Sequence, residues 1–505
     1  MTEVLGLLAG GFATALQPFN LLVAFIGVFV GTTIGMLPGI GPINAIAILI
    51  PISFALGLEP TAMLILFAGI YYGSQYGNSI STILLNVPGT SSAVATAIDG
   101  YPLARKGRGG QALAISAIAS FVGGTLSVIG LMFFAPVLAQ WAIRFGPAEY
   151  FILMIFTFTT LSALTGRHFV KGLIATGLGL AIAMVGADAS NVARFTFGQM
   201  RLLDGFDFVV VTIGLFAVSE VFTLLEQTRM GENTIMKVDR VMITFREFLD
   251  SLWVMIRSSV SGFLVGVLPG AGATIASFLA YTTEQRLVDK EGTFGEGDLR
   301  GVAAPEAANN SAVSGAFIPL LTLGVPGSGT TAVILGALLA LNLSPGPMFL
   351  ERHPDLFWGL VASMYIGNVF LLLLNLPLVG LFVRILLIPR WILMPAVIVL
   401  AYIAVYAATG SAFDLLAMTG FGVLGYVLRK LDFPLAPVIL AVVLGPMMEL
   451  NLRRAMSLSD GDLGILTGSP LAVVLWVLVV LSVLMPLFTG ARRKRRNNRD
   501  GGVSG

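Results

Sequence analysis

Cysteine is absent from this chain of 505 residues, and only two histidines, His168 and His353, are present. Disulfides and thiolate metal sites are therefore excluded, and two histidines are too few for a metal centre built from imidazoles. Charged residues are also scarce, at 11% of the chain against about 25% in ordinary soluble domains. With 56% hydrophobic residues and a mean hydropathy of +0.91, the composition indicates a polytopic membrane protein without a separate soluble domain.

Basic residues are missing from the start of the chain and concentrated at its end. Residues 1–104 contain no Lys or Arg, whereas the tail contains Arg492, Arg493, Lys494, Arg495, Arg496 and Arg499. The positive-inside rule places this tail in the cytoplasm. MTEVLGLLAGG at the N-terminus lacks the basic residues of a cleavable signal, so we expect a retained first helix. Apolar runs recur throughout and predict about ten to thirteen spans.

The chain contains an internal repeat. GTTIGMLPGIG at 31–41 and GFLVGVLPGAG at 262–272 both read G-x-x-x-G-x-L-P-G-x-G. A second pair follows, NVPG at 86–89 and GVPG at 324–327, each downstream of an Asn-Ser at 78–79 and 310–311. Self-similarity of this kind predicts two related halves.

Each LPGxG motif lies in an apolar stretch and predicts an interrupted helix. Pro38 and Pro269 lack an N–H group and crowd the carbonyl four residues earlier, while the adjoining glycines reach backbone angles closed to other residues. Two half-helices joined by an unwound link are expected, and matched interruptions in two halves indicate the midplane site of a secondary transporter. The alternative is a kink that only shapes the bundle. The glycines four apart favour close helix packing.

Charge bias favours an inverted arrangement of the halves. The basic loop Arg105-Lys106-Gly-Arg108 corresponds to a net acidic segment around Arg352, and Arg229, Lys237, Arg240 and Arg246 precede only the second motif. The predicted fold is an all-α, polytopic transmembrane helical bundle with two inverted-topology repeats and Pro/Gly-interrupted, re-entrant or broken helices. We expect residues 1–228 to form the first half with additional spans, 229–356 the second repeat core, 357–490 C-terminal spans and 491–505 a basic cytoplasmic tail.

Polar side chains cluster beside the motifs, in YYGSQYGNSIST at 71–82 and in the stretch from Pro305 to Thr331. Neutral hydrogen-bonding groups and helix N-termini, without an obvious buried Arg, suit a small anion such as a carboxylate. The candidate substrate-binding residues are Pro38, Gly39, Gly41, Asn44, Asn78, Ser79, Pro88, Gly89, Thr90, Ser91, Pro269, Gly270, Gly272, Thr274, Asn309, Asn310, Ser311, Pro326, Gly327, Ser328 and Thr330.

A multiply charged anion also needs counter-charge, because burying bare charge is costly. Carbonyls freed by the prolines, with the side chains of Asn78, Asn310 or Ser311, would hold Na⁺; proton transfer through Glu306 or Asp99 is the alternative. Either carboxylate also fits a helix cap, and Asp99 in the turn-like DGYP favours that interpretation. Glu220, alone in an apolar helix, is expected to reach the membrane interface.

No catalytic constellation appears in the sequence. GSGTT at 327–331 lacks the lysine of a phosphate-binding loop, and G-x-S-x-G, HExxH and an aspartyl dyad are absent. We therefore expect no enzymatic activity and no cofactor, apart from Na⁺ as a coupling ion.

GMLPGIGP, YYGSQYGNSISTILLNVPG, AIDGYPLARKGRGGQAL, GVLPGAGATIASFLAYTTEQ, PEAANNSAVSGAFIPLLTLGVPGSGTTAVILGAL and LSPGP occur in order over about residues 20–450. In these motifs the chain resembles the large membrane subunit of the tripartite tricarboxylate transporters. The resemblance implies a bacterial inner-membrane carrier of roughly a dozen helices with an alternating-access, elevator-like mechanism. It also implies a small membrane subunit and a periplasmic solute-binding protein as partners, a citrate-like di- or tricarboxylate as substrate, an ion gradient as driving force, and no nucleic acid. A membrane scaffold or receptor for the binding protein is the alternative function, and a channel is a third.

Overall fold

The computed structural model describes residues 2–37, 39–164, 169–188, 190–227, 236, 240–386, 388 and 390–484. Pro38, His168, Arg229, Lys237 and the basic tail at 491–505 lie outside the described residues. The helices are α1 (Thr2–Ala15), α2 (Pro18–Met36), α3 (Gly41–Ala55), α4 (Pro60–Leu85), α5 (Val94–Arg105), α6 (Gly109–Ala142), α7 (Pro147–Leu164), α8 (Phe169–Ala183), α9 (Phe208–Thr212), α10 (Ser219–Gln227), α11 (Phe245–Val267), α12 (Gly272–Val288), α13 (Leu299–Leu323), α14 (Gly329–Ala340), α15 (Phe349–Arg352), α16 (Pro354–Asn375), α17 (Val379–Ile385), α18 (Arg390–Thr409), α19 (Ala412–Lys430), α20 (Ala436–Leu458) and α21 (Pro470–Leu484).

Short elements connect these helices. The 3₁₀ turns are Ser91–Ala93, Met200–Leu202 and Leu463–Leu466, and Ile213–Val218 is π-helical, so that α9, this segment and α10 run as one helix. The strands β1 (Gly186–Ala187) and β2 (Ala193–Arg194) pair antiparallel. The predicted all-α class is confirmed, and eight helices of the described part are long and apolar enough to cross a membrane, with six shorter apolar ones.

The chain forms two compact units. The first contains residues 1–140 and 209–426, and the second contains residues 141–208 and 427–505. In the second unit α20 packs on α7 and α8. Arg194 there binds Glu449 through two hydrogen bonds of 3.0 Å, and Arg453 binds Asp188 at 2.6 Å, which ties the β-hairpin to α20.

The helices α4 and α13 form the centre of the first unit. Both are too polar to be among the eight apolar spans, yet nearly every residue of each is buried. The polar residues at 71–82 therefore face protein, as predicted from their composition. The halves also interlock, because Gly123 of α6 packs on the backbone of Ala307 in α13. Tyr76 of α4 donates to Asn368 of α16, in the C-terminal spans, at 2.5 Å.

The repeat is visible in the packing of two equivalent helix pairs, α2 with α4 and α11 with α13. A Cβ added to Gly31 would lie 2.7 Å from the Cα of Ile70, and one added to Gly262 would lie 2.6 Å from the Cα of Ala308. One turn later, Gly35 lies against Ser74 and Gly266 against Ala312 in the same way. The glycines four apart permit this approach, as the sequence predicted. The inverted orientation of the two halves remains a prediction. The division of the chain into segments 1–228, 229–356, 357–490 and 491–505 also remains a prediction.

The VPG pairs also correspond, but the Asn-Ser pairs do not. Asn86 and Gly324 end α4 and α13 in the same left-handed conformation, with φ of 56° and 68°. A Cβ added to Gly89 would lie 3.2 Å from the Cα of Asn78, and one added to Gly327 would lie 3.0 Å from the Cα of Ala316. Asn78 is therefore equivalent to Ala316, and treating its Asn-Ser as the counterpart of 310–311 was wrong. The dipeptides match by composition, because both polar helices are rich in Asn and Ser.

Candidate functional site

Two unwound links of the same geometry interrupt the first unit. The first link (37–40) joins α2 to α3, and the second link (268–271) joins α11 to α12. Gly39 and Gly41 have φ of 93° and 61°, and Gly270 and Gly272 have φ of 81° and 60°. These positive values strain any residue with a Cβ. The predicted interruption of both helices is confirmed in the described residues, although Pro38 itself lies outside them.

Each VPG turn lies against the link of its own half. The first VPG turn (87–89) places Gly89 against the carbonyl of Gly35, at the end of α2. In the second VPG turn (325–327), Gly327 accepts a 3.1 Å hydrogen bond from the Gly270 N–H of the second link. The structure therefore brings the predicted residues Gly270 and Gly327 together at the second link, and it places Gly89 against the end of α2 that precedes the first link.

Helix starts from both halves meet beside these segments. The Ser91 hydroxyl, at the turn that opens α5, lies 2.7 Å from that of Thr274 in the first turn of α12. Ser328 caps the start of α14 and hydrogen-bonds Tyr71 of α4 at 3.0 Å. A Cβ added to Gly272 would lie 3.8 Å from the Cβ of Ser328. The partial positive charges of three helix N-termini thus converge among neutral hydroxyls, which suits an anion.

Asn78 orders the segment that follows the first VPG turn. Its amide nitrogen donates to Thr90 at 2.7 Å and to Ser92 at 3.2 Å, and Ser92 donates to Gln75 at 2.7 Å. The amide oxygen of Asn78 is buried without a hydrogen-bond partner. Ser79 donates to a carbonyl of its own helix, that of Tyr76 at 2.8 Å. Asn78 and Thr90 therefore belong to one cluster, and Ser79 does not join it.

The candidate polar residues of the second half lie in the middle of α13, and the second VPG turn follows the C-terminal end of that helix. Asn310 donates to Asn309 at 2.7 Å, and Ser311 donates to the carbonyl of Ser259 in α11 at 2.5 Å. The amide nitrogen of Asn309 and the amide oxygen of Asn310 are buried without partners. Thr330, in the first turn of α14, is buried at the second VPG turn.

Glu306 is a fully buried carboxylate between α5, α6 and α13. Thr96 of α5 donates to one of its oxygens at 2.5 Å, and Ser120 of α6 donates to the other at 3.3 Å. Ser116, one turn before Ser120, carries a buried hydroxyl without a hydrogen-bond partner. Among the salt bridges of the described residues none involves Glu306. A buried carboxylate in this setting is stabilised by a proton or by a bound cation.

Comparison with known proteins identifies the family. The model of the tripartite tricarboxylate transporter TctA family matches residues 21–440. The chain belongs to the TctA family. An uncharacterized 52.8 kDa protein from the TAR-I ttuC' 3' region of Agrobacterium vitis is 42% identical over 496 residues, which are 98% of each chain. An uncharacterized protein from the TAR-II ttuC' 3' region of Agrobacterium vitis is 45% identical over 234 residues, 46% of this chain and 97% of that protein. No solved structure matches.

The TctA family belongs to tripartite transport systems with a small membrane subunit and a periplasmic binding subunit, and this chain is a multi-pass membrane protein of that family. The family is one of transporter components and not of enzymes. The repeat, the links and the central polar helices described above all lie within the matched residues, apart from the first few residues of α2.

Asp99 of this TctA chain anchors a loop of the other half. One of its carboxylate oxygens accepts the N–H groups of Gly295, Gly297 and Asp298 at 2.8–2.9 Å, and the other accepts the Tyr281 hydroxyl at 2.8 Å. DGYP was expected to be a turn, but it lies inside helix α5, with Pro102 accommodated in the helix. Asp99 therefore caps the loop 289–298 between α12 and α13 and not its own segment.

Replacing Asp99 with Ala should destabilise the protein. Three N–H groups and one hydroxyl lose their acceptor, and we expect a loss of about 2 kcal/mol because unpaired donors with little water access are costly. The melting temperature of the purified protein measures this effect. Tyr281→Phe removes a single donor and serves as the matched control with a smaller shift. An unchanged melting temperature for Asp99→Ala would contradict the anchoring role.

Glu220 lies beside the first link, a position that the sequence did not predict. The expectation of an interfacial carboxylate was wrong, because Glu220 is only 6% exposed and faces the first link. A Cβ added to Gly39 would lie 3.3 Å from the carboxylate carbon of Glu220 and overlap one of its oxygens. A carboxylate within an apolar helix is itself a functional signal in membrane proteins. The sequence contains that signal but does not show which segment the side chain contacts.

Proposed function

We propose that this chain is the permease of a binding-protein-dependent secondary transporter, and that it imports a di- or tricarboxylate by symport with Na⁺ or H⁺. The observation that carries the proposal is the meeting of helix starts from both halves beside the two links. Backbone N–H groups at such starts bind carboxylates, and broken helices in matched positions are the usual setting of a transporter's central site. Ser91, Thr274 and Ser328 supply hydroxyls for the remaining oxygens.

The negative charge of the carboxylate substrate explains why its uptake would be coupled to the uptake of cations. Each helix N-terminus provides about half an elementary positive charge at most, so a dianion among neutral side chains needs cations as well. Glu306 is the carboxylate in α13 that would hold one of them, as a proton or as Na⁺. A cation on Glu306 removes the negative charge that would otherwise repel the anion, so anion binding depends on cation binding.

The remaining parts of the proposal concern the partners and the membrane. We assign the periplasmic solute-binding protein the delivery of the carboxylate and the small membrane subunit a place beside this chain in the bacterial inner membrane, with the C-terminus in the cytoplasm. TctA membership and the basic tail support these assignments.

Uptake in cells that produce all three components tests the proposal. Labelled carboxylate should accumulate above its external concentration only when a Na⁺ or proton gradient is present. A scaffold or receptor would bind solute without accumulation, and a channel would equilibrate it regardless of the gradient. Either of those results would contradict the proposed symport.

Asn78→Leu should impair this uptake while the protein still inserts in the membrane. Leu keeps the side-chain volume, but Thr90 and Ser92 lose the amide that positions them. Loss of one or two buried hydrogen bonds corresponds to about a tenfold decrease in uptake rate. Ser79→Ala, which removes a bond within α4 only, is the matched control. Uptake by Asn78→Leu equal to that of the control would exclude Asn78 from the site.

A further inference from the structure

The polar ring around Glu306 has hydrogen-bonding capacity that is not used. Thr96 of α5 donates its hydroxyl to one carboxylate oxygen at 2.5 Å, and Ser120 of α6 donates to the other at 3.3 Å. Ser116 of α6 and Asn309 of α13 also interact with this carboxylate. The Ser116 hydroxyl and the Asn309 amide nitrogen have no other hydrogen-bond partner in the part of the chain that the structure describes. Four neutral polar side chains therefore surround one fully buried carboxylate.

The first half of the repeat has no carboxylate at the position equivalent to Glu306. Asn78 of α4 is equivalent to Ala316 of α13, because each packs on the glycine of its own VPG turn. Ala68 lies ten residues before Asn78, and Glu306 lies ten residues before Ala316, so these two residues are counterparts. The same helix pairing is thus built with a methyl group at this position. The fold does not need the carboxylate, which indicates a functional reason for it.

The partners of Glu306 are also apolar in the other half. Thr96 lies seven residues after Gly89, and Ile334 lies seven residues after Gly327, so Ile334 is the counterpart of Thr96. Ile334 of α14 borders a small apolar cavity with four residues of α4, which are Pro60, Met63, Leu64 and Phe67. The polar ring is therefore a feature of one half only, and the repeat does not account for it.

The groups in the ring suit a proton better than a metal ion. The amide oxygen of Asn309 accepts a 2.7 Å hydrogen bond from Asn310, so the amide nitrogen, which only donates, is the end that faces Glu306. A Na⁺ ion needs several oxygen ligands, and a nitrogen donor takes the place of one of them. A proton needs a single acceptor. The Ser116 hydroxyl provides it, because a hydroxyl both donates and accepts.

The titratable side chains that neighbour this ring are engaged with other partners. On α13 itself and on the helices α4, α5, α11 and α12 that pack against it, they are Tyr72, Tyr76, Asp99, Arg257, Glu284 and Arg300. Both tyrosines bond neutral side chains, Asp99 accepts the four donors described above, and the remaining three are in ion pairs of 2.6 Å. Helix α6 contains no titratable residue. A change of charge in this neighbourhood is therefore expected at Glu306.

We propose that Glu306 binds the coupling proton and takes up one proton for each carboxylate transported. The proton binds the oxygen that Ser120 contacts, and the resulting O–H donates to Ser116, while the other oxygen still accepts from Thr96. When the proton leaves, the carboxylate regains its negative charge and repels the anionic substrate. The inference names the coupling ion of the proposed symport and rests on that function for its role in transport.

Infrared difference spectroscopy of the purified full chain tests proton binding without transport. Lowering the pH in Na⁺-free buffer should produce the C=O stretch of a protonated carboxyl group, and the contribution of Glu306 should be missing in Glu306→Gln. Glu149→Gln is the matched control, because Glu149 is also buried and accepts only from neutral donors, Gly146 and Ser469. A spectrum of Glu306→Gln identical to that of the wild type would overturn the proposal.

Two further spectroscopic results bear on the same claim. If Glu306→Gln is not recovered folded, Glu306→Asp takes its place and should shift the band, whereas an unshifted band would overturn the assignment. Adding Na⁺ at constant pH should leave the band of the wild type unchanged. Loss of the band on adding Na⁺ would show that the site binds a metal ion instead of a proton.

Uptake driven by one gradient at a time identifies the coupling ion. Right-side-out vesicles with both membrane subunits and added binding protein are held at zero membrane potential. An inward gradient of one pH unit should support about tenfold accumulation of labelled carboxylate without Na⁺, and a Na⁺ gradient with a protonophore should support none. Glu306→Gln should lose accumulation and retain exchange, and Glu149→Gln should match the wild type. Accumulation driven by Na⁺ alone would overturn the proton and leave the proposed symport intact, whereas no accumulation with either gradient would reject the symport itself.

Discussion

Gly77→Ala should destabilise the first unit severely. The added methyl group would overlap the carbonyl oxygen of Thr32 and lie 2.8 Å from its carbonyl carbon, so α2 and α4 would have to separate. Overpacking of a well-packed core costs 1–3 kcal/mol and occasionally more. Because the clash here is with backbone that no rotamer change relieves, we expect a loss of about 3 kcal/mol or more. Thermal unfolding of the purified protein, monitored by size-exclusion chromatography, measures this loss of stability.

The matched control for this substitution is Gly177→Ala. Gly177 also lies in a helix, α8, but an added Cβ there meets no atom within 4 Å. Alanine favours helix over glycine, so this control should melt at or above the wild-type temperature. Equal melting temperatures for Gly77→Ala and Gly177→Ala would show that the glycines do not set the distance between α2 and α4.

Glu306→Gln should abolish gradient-driven accumulation of the carboxylate. The substitution keeps the size of the side chain and its place among Thr96 and Ser120, but it removes the negative charge that binds a cation. A charge-assisted interaction of 1.5–3 kcal/mol corresponds to about a 10- to 100-fold decrease in coupled uptake. Uptake into cells, with and without an imposed ion gradient, measures the effect.

A second readout separates coupling from damage to the fold. Exchange of internal for external carboxylate needs no net cation movement, so Glu306→Gln should retain it if the substrate site is intact. Ser120→Ala, which removes the longer of the two hydrogen bonds to Glu306, should keep both activities. Accumulation by Glu306→Gln at the wild-type level would exclude Glu306 from coupling.

The links could be predicted from the sequence because their chemistry is local. A Pro-Gly-x-Gly sequence breaks a helix whatever surrounds it, and the glycines of both motifs have the expected positive φ angles. The burial of residues 71–82 was predicted for a similar reason, since so many hydroxyl and amide groups are not tolerated against lipid. The Pro/Gly motif and the local composition alone were sufficient for these elements.

The contacts between distant segments could not be predicted in the same way. Glu220 meets Gly39, Asp99 meets the loop 289–298, and Thr96 meets Glu306, each through packing of helices far apart in the chain. The Asn-Ser match failed because the two dipeptides lie at different distances from the helix ends that do correspond. Asn78 is 8 residues before Asn86 at the end of α4, whereas Asn310 is 14 residues before Gly324 at the end of α13.

The measurement that tests the central claim most directly is the melting temperature of the purified chain with a panel of carboxylates, each in Na⁺ and in K⁺. Citrate, succinate, malate and tartrate are suitable probes. A ligand at one hundred times its Kd stabilises the folded state by about 2.7 kcal/mol. We expect stabilisation by at least one di- or tricarboxylate that is lost in Asn78→Leu. A larger shift in Na⁺ than in K⁺ would identify Na⁺ as the coupling ion, and equal shifts would favour H⁺. An unchanged melting temperature with every acid in both salts would contradict a substrate site in this chain.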